Sequence, residues 1–221
     1  AAAGRSVVML ASSRDGEELD FLKQIQAFTQ SRQALEATES GASDAATPQW
    51  LIVPRHPQRF DEVAALVLAG GFTLSRRSQW PQGGAQGAGG PPTPADVWLG
   101  DSLGEMAAYY ALADVALLGG SFAPLGGQNL IEAAACGCPV VVGPHTFNFA
   151  QVAEQALAAG AALRVADLAQ GLDAAQALAA DAPRRQAMAD AGRLFARRHQ
   201  GAARRTAQAL KALCQGARQG P

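Results

Sequence analysis

The segment richest in potential chemistry runs from Gly119 to Glu132. Gly119-Gly120-Ser121 is followed, after Phe122–Leu125, by Gly126-Gly127-Gln128-Asn129-Leu130-Ile131-Glu132. Paired glycines let backbone approach a ligand closely, and a helix starting just after them offers N–H groups and a dipole that favour anions. Asn129 and Glu132 are three apart and would share one helix face. A neutral amide there can meet a phosphate, and a carboxylate can accept from both hydroxyls of a ribose. Glu132 could instead be the acidic member of a capping box. The pattern fits neither G-x-G-x-x-G nor the P-loop, so no dinucleotide or NTPase site is indicated.

Three more segments are dense in polar groups. In Pro54-Arg55-His56-Pro57 two prolines stiffen the turn and narrow the directions open to Arg55 and His56. An arginine at a strand end is suited to pairing a phosphate, although alone it could be an ordinary loop charge. Gly100-Asp101-Ser102-Leu103-Gly104-Glu105 places small residues before a helix, as ligand-facing turns and simple N-caps both do. Gly143-Pro144-His145-Thr146-Phe147-Asn148-Phe149 offers His145 as a ligand contact or a cap. Cys136 and Cys138 have C-x-C spacing without further ligands nearby, so no metal site is expected.

Short apolar runs alternate with amphipathic stretches, and these must position the segments. Strands are expected at Val7–Ala11, Trp50–Val53, Phe72–Ser75, Val97–Leu99, Val115–Leu118, Val140–Val142 and Ala162–Val165. Helices are expected at Glu17–Leu35, Phe60–Ala69, Leu103–Leu112, Gln128–Ala135 and Gln151–Ala158, and through most of the remainder. Continuous apolar strands separated by helices imply α/β architecture: a doubly wound, mainly parallel, Rossmann-like sheet covered on both faces. Such sheets bind ligands at the C-terminal ends of their strands, where these segments fall.

Composition sets limits. The 221 residues suit one large domain, here expected to span the whole chain with a core of about 6–213. Pro81–Pro94 is Gly/Pro-rich and is expected to form a flexible loop, about 81–95, rather than a domain linker. With 18 basic and 19 acidic groups the net charge is -1, which argues against nucleic acid as a partner. No apolar run reaches the roughly 18 residues needed to span a bilayer, so a soluble fragment is expected. Three cysteines cannot all pair, which suggests a reducing compartment. The chain opens almost directly on a core strand, as a piece cut at a domain boundary would. Arg184, Arg185, Arg193, Arg197, Arg198, Arg204, Arg205 and Arg218 make the C-terminal region basic, a solvated face or a contact for anionic headgroups.

Taken together, Pro54–Pro57, Gly100–Glu105, Ala113–Ser121, Gly126–Ala134 and Gly143–Phe149 resemble the 3-deoxy-D-manno-octulosonic acid (Kdo) transferases of Gram-negative lipopolysaccharide synthesis. The likeness covers roughly Val7 to Leu213. It implies the C-terminal, CMP-Kdo-binding half of a two-domain GT-B enzyme, with the acceptor domain and general base absent from this chain. The resemblance further implies that Arg55 meets the CMP phosphate as leaving group, with His56 beside it. The backbone at Leu103, Gly104 and Glu105 would face cytosine. Asn129 would reach phosphate and Glu132 the ribose, with Gly127 and Gln128 alongside. Ser13 would belong to a ligand-facing turn at the first strand end. Many members carry proline after this glutamate, where this chain has Ala133; losing a first-turn proline leaves the expected function intact.

The transfer so implied inverts the anomeric centre, needs no cofactor, and moves Kdo to a lipid A precursor at the cytoplasmic face of the inner membrane. The isolated chain would then be inactive. Two other readings stay open: the corresponding half of a GT-B enzyme using a UDP-sugar, and a nucleotide-binding module without catalysis.

Overall fold

The computed structural model describes residues 5–38, 47–81 and 94–199, together with 207 and 210. Seven strands form one sheet: β1 (Val7–Ser13), β2 (Gln49–Pro54), β3 (Leu74–Arg76), β4 (Val97–Leu99), β5 (Val115–Leu118), β6 (Val140–Val142) and β7 (Ala162–Arg164). Their order is β3-β4-β2-β1-β5-β6-β7, and every pairing is parallel. The helices are α1 (Glu17–Thr38), α2 (Phe60–Ala69), α3 (Met106–Leu112), α4 (Ile131–Cys136), α5 (Ala150–Ala158), α6 (Leu168–Ala180) and α7 (Ala182–His199).

Alternation along each strand builds two cores. Val8 and Leu10 of β1 point to one face, where Phe21 and Ile25 of α1, Val67 of α2 and Leu172 of α6 cover them. Met9 and Ala11 point to the other, against Tyr109 and Tyr110 of α3, Ala134 of α4 and Phe195 of α7. Both faces of the central strands are therefore apolar, which is why the strands read as unbroken hydrophobic runs. The doubly wound expectation holds.

Some element boundaries differ from the sequence reading. The third strand runs over Leu74–Arg76 rather than Phe72–Ser75, because residues 70–71 turn the chain and Phe72 packs there against α2. Helix α3 begins at Met106 rather than Leu103, since Gly104 takes a φ of 76° that no helix accommodates. Helix α4 begins at Ile131 rather than Gln128. Most of the expected loop 81–95 (82–93), together with Arg204, Arg205, Arg218 and Cys214, lies outside the described residues.

Chain direction decides where the site falls. From β1 the chain moves to β2 on one side and later returns to place β5 on the other. The carboxyl ends of β1 and β5 thus border the switch crevice, the usual ligand position in an open parallel sheet.

Candidate functional site

At the ends of β1 and β5 the backbones nearly touch. A Cβ on Gly119 would sit 2.6 Å from the Ser12 carbonyl oxygen, so only glycine fits. Beyond it the loop folds back, with the Gly127 N–H donating to the Gly120 carbonyl at 2.7 Å. Gly127 itself has a φ of 75°, a left-handed turn that brings it against His145 and Thr146.

This loop is held by a carboxylate absent from the sequence reading. Glu17, the first residue of α1, is buried and accepts from the Gly120 N–H with both oxygens, at 2.8 and 2.7 Å. It also accepts from the N–H groups of Phe122 and Ala123 at 3.3 Å and of Arg14 at 2.9 Å. The amide cradle expected to receive an anionic ligand is thus filled from within. Next to it, Glu18 is fully buried, and one of its oxygens accepts from Ser13 Oγ at 2.7 Å and Arg59 Nη1 at 2.6 Å. Arg59 completes its bonds with Glu62 at 2.7 Å and Asp15 at 2.8 Å. The Glu62 hydrogen bond, with Glu18 behind it, raises the Arg59 pKa well above its ordinary value despite burial.

Ser13 is therefore not placed as expected. Its hydroxyl is fully buried and donates to Glu18, so the side chain braces the β1 end rather than facing the cleft. Asn129 also changes role. It lies ahead of α4, off the face carrying Glu132, and its Oδ1 accepts from the Ile131 N–H at 3.0 Å. Its amide NH2 keeps both donors for a ligand. Gln128 projects its amide toward Gly120.

The Gly100–Glu105 turn is fixed from β3. Asp101 is buried and accepts from Ser78 N–H at 2.8 Å, Ser78 Oγ at 2.6 Å and Arg76 Nε at 2.6 Å. Burial opposes its charge, yet the Ser78 donors and Arg76 hold the carboxyl below the usual aspartate range. Glu105 pairs with Arg77 at 2.7 Å. Its carboxylate is thereby engaged within the protein, and the exposed backbone of Leu103 and Gly104 forms the tip.

Arg55 and Glu132 have free ends. Both are exposed, and neither side chain makes a hydrogen bond or ion pair among the described residues. Their charges act with opposite sign on the buried Tyr110 hydroxyl, whose pKa is raised chiefly by burial, with Cys138 and Glu132 raising it further and Arg55 opposing. His56 is half-buried beside Arg55, with its ring unpartnered among the described residues. The strand ends thus offer an unpaired cation after β2, an unpaired anion in the first turn of α4 and an exposed turn after β4. That combination can hold a phosphate, ribose hydroxyls and a base edge together.

A cavity of about 650 Å³ lies on the other side of the switch crevice. Asp15, Glu17, Asp20 and Asp167 line it, a sign that repels anionic ligands. Among the described residues no cluster of three or more His, Cys, Asp or Glu could hold a metal. No helix among them is long and apolar enough to cross a membrane.

Sequence reasoning missed Arg14, Glu17, Glu18 and Arg59. The available signal was the adjacent pair Glu17-Glu18 just past a strand end, which looks the same as ordinary first-turn acids favoured by the helix dipole.

Residues 98–211 match the glycosyl transferase-like family. The chain is 52% identical over 212 residues to the 3-deoxy-D-manno-octulosonic acid transferase of Bordetella pertussis, a match covering 95% of this chain and 45% of that protein. It is 35% identical over 162 residues to the transferase of the same name from Haemophilus influenzae, covering 73% of this chain and 36% of the relative. The chain thus spans less than half the length of these two relatives. Among solved structures, the C-terminal CMP-Kdo binding domain of WaaA from Acinetobacter baumannii superposes with a TM-score of 0.70 at 29% identity, covering 88% of this chain and 90% of that domain.

Proposed function

The chain belongs to the glycosyl transferase-like family, and we propose that it is the donor-binding half of a Kdo transferase, the half that takes CMP-Kdo. Its seven-stranded parallel sheet is the Rossmann-like sheet of a GT-B half. The observation that carries the reading is that Arg55 and Glu132, opposite in charge, are both exposed and without a side-chain partner among the described residues. A nucleoside monophosphate needs one cationic contact for phosphate and one acceptor for its ribose hydroxyls. The similarity to a CMP-Kdo binding domain supports cytidine as the nucleoside.

In this reading the backbone of Leu103, Gly104 and Glu105 faces cytosine, Glu132 accepts from the ribose, and Arg55 donates to the phosphate. His56, Gly127, Gln128 and the Asn129 amide complete the donor site. An acceptor hydroxyl attacks the anomeric carbon of Kdo from the face opposite the leaving group. The bond from that carbon to the phosphate oxygen breaks, its electron pair goes to CMP, and the configuration inverts. Phosphate gains charge as the bond opens, so a preorganised guanidinium stabilises the transition state most. The hydroxyl proton passes to a general base in a second, acceptor-holding domain. That domain presents a lipid A precursor at the cytoplasmic face of the inner membrane. The 221-residue chain alone binds donor without transferring it.

Calorimetric titration of the chain with CMP, UMP and UDP tests the reading. CMP is expected to bind tighter than both uridine nucleotides. Preference for UDP would assign the chain to a UDP-sugar enzyme, and silence with all three would remove the nucleotide site.

A further inference from the structure

Arg14 and Arg55 occupy equivalent places on neighbouring strands. Ser13 of β1 registers with Pro54 of β2, and each arginine is the next residue along its strand. The Arg55 N–H donates to the Ser13 carbonyl at 3.0 Å, which keeps the two strand ends together. Neither guanidinium has a hydrogen bond or ion pair among the described residues. This is unlike the arginines around them: Arg59 is paired to Asp15, Glu18 and Glu62, Arg76 to Asp61 and Asp101, and Arg77 to Glu105. The Arg14 stem runs beside Gly120, its Cγ 3.6 Å from the position a Cβ there would take, which places it over the β1–β5 crevice.

The usual alternative for holding an anion at this crevice is already occupied. Gly120, Phe122 and Ala123 direct their N–H groups at Glu17, and Arg14 adds its own. Four N–H groups make five contacts to that carboxylate, so the amides of Gly120, Phe122 and Ala123 are already engaged. At the ends of β2 and β1 the two guanidinium groups, unpaired among the described residues, offer an anionic ligand charged partners.

A CMP-linked 2-ulosonic acid carries two anionic groups. Its carboxyl carbon is bonded to the anomeric carbon that holds the phosphate oxygen, so phosphorus and carboxyl carbon are only three bonds apart. Adjacent strands lie about 4.8 Å apart, a spacing that lets neighbouring strand ends address both groups at once. Arg55, just past β2, and Arg14, just past the adjacent β1, are thus placed to take the phosphate and the sugar carboxylate side by side. Resting on the donor-binding reading above, we infer that Arg14 pairs with the C1 carboxylate of the donor sugar and selects an acidic sugar over a neutral one.

The test compares CMP, CMP-Kdo and the C1 amide of CMP-Kdo as ligands of wild type, Arg14→Met and Arg14→Lys. Wild type is expected to prefer the acid to the amide by roughly tenfold or more, the worth of a charge-assisted hydrogen bond. Arg14→Met keeps the stem beside Gly120 and should bring that ratio close to one, with CMP affinity unchanged. Arg14→Lys should retain part of the preference. A wild-type ratio near one overturns the inference without any variant, as does an unchanged ratio in Arg14→Met. Should Arg14→Met lose its fold by circular dichroism, Arg14→Gln replaces it under the same criterion. Failure of wild type to bind CMP at all overturns the donor-binding reading itself, and this inference with it.

Discussion

Glu17 and Gly120 are joined by a bidentate contact, both carboxylate oxygens accepting one backbone N–H at 2.8 and 2.7 Å. The residues are 103 positions apart, at the start of α1 and just beyond β5. This contact bridges the two strand ends that define the switch crevice and sets the shape of the glycine-rich loop.

Replacing Glu17 by glutamine should loosen that loop. One carboxylate oxygen becomes an NH2 that cannot accept, so buried N–H groups at Gly120 and Arg14 compete for a single oxygen. The expected loss is about 1–3 kcal/mol of stability, read from the midpoint of urea unfolding. An unchanged midpoint would mean that the loop holds its shape without this carboxylate.

Arg55→Ala tests charge at the leaving group. In the complete two-domain enzyme, the rate at saturating donor should fall in addition to any loss of CMP-Kdo affinity, because the phosphate is more negative in the transition state. If only KM rises, Arg55 binds donor without assisting departure.

Glu132 separates ribose recognition from helix capping. Charge-assisted bonds to two hydroxyls are worth about 1.5–3 kcal/mol, so CMP should bind at least about tenfold tighter than its 2′,3′-dideoxy counterpart. Glu132→Gln should blur that preference while leaving the melting temperature in place. Titration of both nucleotides against both proteins supplies the comparison. Equal discrimination in the two proteins would return Glu132 to the surface of α4.

Asp101 gives the fold a sensitivity to acid. Ser78 and Arg76 stabilise its charged form in the folded state, against burial, so its folded pKa lies below the unfolded value. Its contribution is therefore complete above the unfolded aspartate pKa of about 3.9 and is lost as pH falls through the lower folded value. Urea unfolding followed from pH 6 to pH 3 should show wild type losing stability over the acid end of that range. Asp101→Asn should be less stable at pH 6 and flatter toward acid. Parallel pH profiles for the two proteins would assign the acid response to other carboxylates.

The sequence by itself determined the sheet and the edge where the site would lie. Val7–Ala11, Trp50–Val53 and Val115–Leu118 are apolar on both faces, and only a parallel sheet covered by helices on each side buries such strands. Because all strands of that sheet run one way, Arg55, Leu103, Gly104, Gly127 and Glu132 had to gather at one edge. Tertiary structure decided which of the polar groups there stay free. Hydrogen bonding is short-ranged and depends on where side chains end, so no local pattern distinguished Arg59, surrounded by three carboxylates, from Arg55 four residues earlier. For the same reason Ser13 turned inward to Glu18, and Glu17 took the amides of a loop about a hundred residues away. Those partners meet only when β1, β2 and β5 lie side by side, and chain folding alone brings them together.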